Sequence, residues 1–135
     1  MGAFQVYGQP VANFHPRALE LFISSLENLM KGEYEQAIAD STNVLRLEPT
    51  SSVSLTIRAR AYYELGRYDQ AIADATTAIR HDRNNISAYN IRANSHVKKG
   101  NFNGAIGDWN AVLRINPESV DASHNRERAR QQRDQ

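Results

Sequence analysis

The side chains in this chain that could carry out chemistry are its four histidines, its fifteen carboxylates and its serines. No HExxH motif and no closely spaced set of histidines and carboxylates predicts a metal site. No serine lies in a nucleophile-elbow motif, and neither a GxGxxG motif nor a phosphate loop occurs. We therefore expect a protein that is not an enzyme and that needs no metal and no cofactor. The scattered histidines are His15, His81, His96 and His124.

Charged residues recur instead at a fixed interval of 34 residues, in one column of aspartates and one of arginines. Each arginine follows an aspartate by 18 residues, and an arginine can form two parallel hydrogen bonds with a carboxylate. We predict a ladder of ion pairs between successive structural units, which would set their stacking and would catalyse nothing. The predicted pairs are Asp40–Arg58, Asp74–Arg92 and Asp108–Arg126.

The same interval separates three glycines, each within a similar phrase: GEYEQAIADS, GRYDQAIADA and GNFNGAIGDW. A 34-residue period is typical of stacked helical repeats. Because a helix often ends at a glycine with positive φ, we expect Gly32, Gly66 and Gly100 to form tight turns within helix pairs. The helical periodicity predicts pairs at residues 17–31 and 34–47, 52–65 and 68–81, and 86–98 and 102–115, with a seventh helix at 119–133.

Turn-forming residues mark the boundaries between the predicted pairs. Pro49 and Pro117 each stand after a pair, where proline ends a helix. The second unit has Arg83 in that column, and Asn84 and Asn85 can form the turn in its place. We also expect Ser119 to cap the seventh helix. In the opening segment, glycines and prolines such as Pro16 disfavour regular structure.

These columns resemble the tetratricopeptide repeat family over about residues 18–133. The resemblance implies an all-α, right-handed superhelix of three helix-turn-helix repeats, at about residues 18–51, 52–85 and 86–119, with a capping helix at about 119–133. We treat residues 1–16 as a separate apolar and aromatic arm and residues 17–135 as the repeat domain. Trp109 is expected to pack between helices. The small residues that let helices approach closely are Ala37, Ala71, Ala105, Ser25, Ala59 and Ala93.

The resemblance also implies that the first helix of each repeat lines a concave groove that holds a protein or peptide. The groove would be apolar in the first repeat and polar to weakly basic further along. The predicted lining residues are Leu19, Phe22, Ile23, Leu26, Met30, Thr56, Ile57, Arg60, Asn90, Ile91, Asn94, Lys98 and Arg128.

Some family members grip the C-terminal carboxylates of heat-shock chaperones with a clamp of Lys, Asn and Arg side chains. The matching positions here carry none of these three residue types, so we do not expect that mode of binding. We predict an apolar or amphipathic partner segment, with Arg60, Lys98 and Arg128 available to an acidic flank. The residues at the clamp positions are Phe22, Leu26, Ile57, Ser87 and Ile91.

The first helix, at 17–31, has more apolar residues than one buried stripe requires. Exposed apolar patches usually mark interfaces, so something should cover this helix. Three interpretations remain open: the arm at 1–16 folds over it, a second copy of the chain covers it, or a partner peptide docks there. The second would make the protein a self-assembling homo-oligomer.

Composition excludes several other classes of function. The net charge of +1 and the lack of a basic groove with interleaved aromatic residues make nucleic acid an unlikely partner. The chain has no cysteine, so no disulfide framework or thiolate zinc site is possible. No signal-peptide pattern and no run of ~18 apolar residues occurs. We expect a cytoplasmic protein, or a fragment of a larger one, that does not enter membranes.

Overall fold

The structure is a computed structural model that describes residues 5–6, 9–10 and 15–135. Within these ranges, two short strands, β1 (Gln5–Val6) and β2 (Gln9–Pro10), pair antiparallel. Most of the predicted arm at 1–16 therefore lies outside the described residues. The seven helices that follow are α1 (Pro16–Met30), α2 (Tyr34–Leu47), α3 (Ser52–Glu64), α4 (Tyr68–His81), α5 (Ile86–Lys98), α6 (Phe102–Ile115) and α7 (Val120–Arg133).

The predicted helix pairs and the seventh helix are confirmed, and no helix end differs from its predicted position by more than one residue. The fold is an all-α helical-repeat superhelix. One difference is that α1 begins at Pro16, a residue predicted to oppose regular structure. Proline is favourable in the first turn of a helix, and His15 caps the helix by accepting a hydrogen bond from the Arg17 amide at 3.1 Å.

The three glycine turns share one geometry. Gly32, Gly66 and Gly100 have φ values of 78°, 76° and 76°. At the first turn, the Glu33 amide donates to the Asn28 carbonyl at 2.8 Å, and the Gly32 amide donates to the Leu29 carbonyl at 3.1 Å. This pair of bonds is a Schellman motif, which satisfies carbonyls left free at the end of a helix. The predicted role of the glycines is confirmed.

The core passes from each repeat into the next. One cluster joins Ala18 and Phe22 of α1 to Val44 of α2 and Ile57 of α3. A second cluster joins α3 and α4 to α5, and a third joins α5 and α6 to α7, where Trp109 is 3% exposed. Trp109 packs between helices as expected. The small residues of the two predicted columns are all fully buried: Ala37, Ala71, Ala105, Ser25, Ala59 and Ala93.

The predicted ladder of ion pairs is wrong in its register. Arg58 pairs with Asp74 of its own repeat, not with Asp40: its Nε lies 2.7 Å from Asp74 Oδ2 and its Nη2 lies 2.8 Å from Oδ1. Towards the preceding repeat, its Nη1 donates to Thr42 Oγ1 at 3.2 Å. Residues two apart point about 200° apart around a helix, so Asp40 faces α1 while Thr42 faces α3.

The third repeat has the same register, and the last predicted pair is absent from the described structure. Arg92 pairs with Asp108, with Nη2 2.6 Å from Oδ1, and its Nη1 donates to Thr76 Oγ1 at 3.1 Å. Arg126 Nη1 donates to Asn110 Oδ1 at 2.9 Å and makes no bond to Asp108. The arginines therefore tie repeats together through neutral groups and bind carboxylates within a repeat.

Candidate functional site

A cavity of about 470 Å³ opens between α1, α3 and the N-terminal end of α5. Three helices position its walls, because the first helices of successive repeats lie side by side. The loop between α4 and α5 closes one side. The lining residues are Leu26, Leu29, Ser52, Val53, Thr56, Ile57, Arg60, Asp82, Asn84, Asn85, Ile86 and Ser87.

The floor of the cavity is apolar. Leu26 and Leu29 of α1 meet Val53 and Ile57 of α3, and all four pack on one core cluster. Ile57 is only 5% exposed, so it supports the wall more than it offers surface. An apolar group entering here would leave water and gain contacts with a rigid surface.

The rim of the cavity is polar and is fixed by Asn85. Its Oδ1 caps α5 by accepting a hydrogen bond from the Ala88 amide at 3.0 Å. Its Nδ2 donates to Ser52 Oγ and to Thr56 Oγ1, both at 2.9 Å. Ser52 Oγ in turn donates to the Ala78 carbonyl at 2.9 Å. These bonds tie three helices together and hold the rim in one arrangement.

The rim also carries charged groups of both signs. Arg60 has a half-exposed side chain, and its Nε lies 2.8 Å from Glu64 Oε1. On the other side, Asp82 Oδ1 accepts a hydrogen bond from the Asn84 amide at 3.0 Å. An exposed pair such as Arg60–Glu64 contributes little stability, so Arg60 can exchange its partner at small cost. The site therefore combines an apolar floor with polar and ionic contacts at its edge.

The structure brings four of the predicted groove residues together in the cavity: Leu26, Thr56, Ile57 and Arg60. Phe22 and Ile91 are 1% and 6% exposed and lie in core clusters, so they offer almost no surface. Ile23 and Met30 are 48% and 85% exposed and lie outside the cavity wall. The other predicted residues that do not line the cavity are Leu19, Asn90, Asn94, Lys98 and Arg128.

Sequence reasoning missed the contribution of the α4–α5 loop. Asp82, Asn84 and Asn85 line the cavity, although the sequence indicated the asparagines only as turn formers. A signal was present, because this loop has Arg83 where the corresponding loops have Pro49 and Pro117. The departure from the repeat pattern coincides with the side chains that form the rim.

Other kinds of site were also sought in the described part of the chain. Among residues 5–6, 9–10 and 15–135, no group of three or more histidine and carboxylate side chains could hold a metal ion. None of the described helices has the length and apolar character needed to cross a membrane.

The stacked helix pairs, the glycine turns and the cavity on one face define a helical-repeat protein. The sequence profile of the tetratricopeptide repeat matches residues 29–86 and 56–120, more than half of the chain. The chain belongs to the tetratricopeptide repeat (TPR) family. No curated protein matches it significantly.

Several solved TPR domains are similar to the chain. The first TPR domain of Spaghetti (RPAP3), bound to the HSP90 peptide SRMEEVD, is 25% identical with a TM-score of 0.82, over 87% of this chain and 96% of that one. The first TPR domain of human RPAP3 is 26% identical with a TM-score of 0.81, over 86% and 91%. The TPR2B domain of yeast Sti1, in a pHsp70 complex, shares the fold at 24% identity with a TM-score of 0.82, over 88% and 100%.

Proposed function

We propose that the protein is a non-enzymatic interaction module that holds an apolar or amphipathic segment of a partner protein in its concave groove. The cavity between α1, α3 and α5 is the observation that carries this proposal, because it joins an apolar floor to a fixed polar rim. Pockets of this kind bind through apolar contacts and take their specificity from a few placed polar groups. TPR domains are interaction modules, and the similar domains include peptide complexes.

The partner segment would place an apolar side chain over Leu26, Leu29 and Val53. Fully burying one large aliphatic or aromatic side chain contributes roughly 1.5–3 kcal/mol. Asn84 and Ser87 can bond the backbone of the segment, and Arg60 can receive an acidic residue next to the apolar one. An amphipathic sequence satisfies both halves of this site.

The residues at the clamp positions argue against a chaperone C-terminal carboxylate as the ligand. Phe22 stands at the first of these positions and is 1% exposed, so its side chain belongs to the core. Leu26 and Ile57, at two more, form the apolar floor. An apolar surface there would desolvate a carboxylate without pairing it, which costs free energy. The HSP90 peptide SRMEEVD, bound by the similar Spaghetti domain, therefore serves as a negative control.

Fluorescence anisotropy with a library of labelled amphipathic peptides tests this function. We expect some peptides with a leucine or phenylalanine beside an acidic residue to bind more tightly than SRMEEVD. Leu26→Asp should weaken that binding, while Leu47→Asp should not. Leu47 is a matched control because it is 41% exposed on α2 and does not line the cavity. Thermal unfolding of both variants establishes that they remain folded.

Equal loss of binding in the folded Leu26→Asp and Leu47→Asp proteins would place the peptide outside the cavity. Tight binding of SRMEEVD would contradict the expected partner chemistry. Val53→Trp provides a second variant, since it fills the cavity without introducing a charge. It should also weaken the binding of the selected peptides.

The alternative function is self-assembly through the N-terminal arm and α1. Its motivating observation is the exposure of Ile23 and Met30, two apolar side chains on α1. Light scattering over a range of concentrations tests it, with the full chain and a chain lacking residues 1–14. His15 is kept because it caps α1 and its amide donates to Glu48 Oε1 at 2.9 Å. An oligomer that dissociates on shortening would favour assembly, and two monomers would count against it.

A further inference from the structure

The arginine column has a different environment at its last member. In the second and third repeats, the Nε–Nη2 edge of the guanidinium binds a carboxylate, from Asp74 at Arg58 and from Asp108 at Arg92. The four donor–acceptor distances are 2.7, 2.8, 3.0 and 2.6 Å. Such bidentate pairs are short, charge-assisted and geometrically specific.

The other edge of each guanidinium is anchored to the preceding repeat. Nη1 donates to Thr42 at Arg58, to Thr76 at Arg92 and to Asn110 at Arg126. The distances are 3.2, 3.1 and 2.9 Å. Arg126 is therefore anchored in the same way as the two arginines that bind carboxylates.

The carboxylate itself is missing at Arg126. Its Nε is buried and has no hydrogen-bond partner among the described residues. Its Nη2 makes no hydrogen bond there either, so the bond to Asn110 is the one that Arg126 donates. A buried donor without a partner costs free energy, and a guanidinium can be satisfied only by acceptors. The Nε–Nη2 edge of Arg126 lacks the ligand that its counterparts have.

We propose that Arg126 is a binding site for the carboxylate of an acidic side chain on a partner protein. The carboxylate would occupy the place that Asp74 and Asp108 occupy on Arg58 and Arg92. The site is separate from the concave groove, because Arg126 lies in the column that faces the second helix of a repeat. The exposed Arg128, two residues further on, lies about 200° around α7 on a different face.

The neighbours of Arg126 indicate a polar, acidic partner. On α3, the corresponding face has Leu55, Ala59 and Tyr62, which pack in the core of the second repeat. At those three positions α7 has a different set, described by its polarity: Ser123, Glu127 and Arg130. An apolar helix that packs on α3 as α4 does would not fit this surface.

A second guanidinium lies one turn from Arg126. Arg130 has a side chain that is 40% exposed, and its Nη1 is 3.6 Å from Glu127 Oε2, a long and solvated contact. Arg126 and Arg130 together favour a segment with more than one acidic side chain. Complementary charge of this kind sets the choice of partner and the rate of encounter.

Nitrogen-detected NMR of arginine Nε–H groups tests the site directly. The probe is a short glutamate peptide with both termini blocked, and the matching glutamine peptide is the control. Adding the glutamate peptide should move the Arg126 Nε–H proton signal downfield, towards those of Arg58 and Arg92. The Arg58 and Arg92 signals should stay in place, because their carboxylates are already present.

Two variants separate the site from general attraction between charges. Arg126→Met should weaken binding of the glutamate peptide about tenfold, the effect of losing one charge-assisted contact. Arg128→Met removes the same charge from the groove face and should change affinity less than about twofold. The melting temperature of Arg126→Met should equal or exceed that of the parent, because the free chain loses only the Asn110 bond. If Arg126→Met does not fold, Arg126→Lys keeps the charge without the planar fork and should also bind more weakly.

Several results would overturn the proposal. The Arg126 signal could stay unchanged at millimolar peptide, or it could move equally when sodium chloride replaces the peptide, which would mean an adventitious ion only. Equal loss of affinity in Arg126→Met and Arg128→Met would assign the peptide to general charge attraction. A shift that follows protein concentration without peptide would identify a second copy of this chain as the carboxylate donor in place of a partner protein.

Discussion

The first repeat and the two that follow it treat the same buried carboxylate in different ways. Asp40, Asp74 and Asp108 are 6%, 8% and 4% exposed. The second and third aspartates each have an arginine as counter-ion. Asp40 has neutral donors instead, from Ser24 at 2.6 Å, Asn28 at 2.9 Å and Gln36 at 3.0 Å.

The difference follows from what each donor has to reach. An arginine in the second or third repeat binds its own aspartate and also a threonine of the preceding repeat. In the first repeat, no preceding repeat packs on α1 in the described structure, and Ser24 needs only to reach Asp40. The column thus teaches that arginine is used where one side chain must link two repeats, and small neutral groups are used where it need not.

The largest effect should come from removing one ion of a middle pair. Arg92→Met leaves Asp108, whose side chain is 5% exposed, without its counter-ion. Breaking a buried pair on one side typically costs about 3–5 kcal/mol, and we expect a loss of unfolding free energy in that range. Urea denaturation followed by circular dichroism measures it.

The double variant Arg92→Met with Asp108→Leu is the matched control. It removes both charges, so much of the lost unfolding free energy should return. A double variant no more stable than Arg92→Met alone would mean that packing of the arginine stem, not the unpaired carboxylate, causes the loss.

A smaller effect is expected at the neutral counterpart in the first repeat. Asp40→Asn keeps one carbonyl oxygen for three neutral donors, so the cost should be about 1–3 kcal/mol. Asp74→Asn should cost more, because it leaves the Arg58 guanidinium without a charge partner. Urea denaturation of both variants compares them, and equal losses would show that the arginine adds nothing to the buried carboxylate.

The sequence predicted the repeats well because their geometry depends on local features and small residues. Gly66 with positive φ ends a helix wherever it stands, and fully buried residues such as Ala71 and Ala59 fix close helix approaches. These constraints recur at one interval, so errors at single positions cancel. Helix ends could therefore be predicted to within one residue.

The same periodicity could not choose the register of the ion pairs. Arg58 stands 18 residues after Asp40 and 16 residues before Asp74, and both spacings recur through the chain. Which carboxylate it meets depends on the rotation of α2 and α4 about their axes, which repeat spacing does not specify. The cavity rim was missed for a related reason, since the bonds from Asn85 to Ser52 and Thr56 exist only once two repeats have stacked.

The glycine turns are alike in all three repeats, in contrast to the carboxylates. A Cβ at Gly66 or Gly100 would meet no heavy atom within 4 Å, so Gly→Ala strain arises from the backbone alone. We expect Gly66→Ala and Gly100→Ala each to cost about 1–2 kcal/mol of unfolding free energy. Thermal unfolding should show nearly equal losses. A marked difference between them would mean that the turns are not equivalent devices.

The smallest effect concerns His96, the third-repeat residue in the column where the first repeat uses Asn28 to bind Asp40. Burial lowers the pKa of His96 below its ordinary value of 6.5; Asp108 opposes this shift, and Arg92 and Lys99 add to it. Asn101 Nδ2 lies 3.2 Å from His96 Nδ1. Because Asn101 Oδ1 already accepts from the Gly104 amide at 3.0 Å, the amide nitrogen faces the ring and favours an unprotonated Nδ1.

The unfolded chain therefore takes up a proton at His96 at a higher pH than the folded chain does. Stability from this residue is fully present above the unfolded pKa and falls as the pH drops below it towards the folded pKa. Between about pH 7 and pH 5.5, the melting temperature of the parent should fall more steeply than that of His96→Gln. His124→Gln, which removes an exposed imidazole on α7, should keep the parental slope. If His96→Gln also keeps that slope, His96 titrates alike in the folded and unfolded chains, and the third repeat differs from the first in residue type alone.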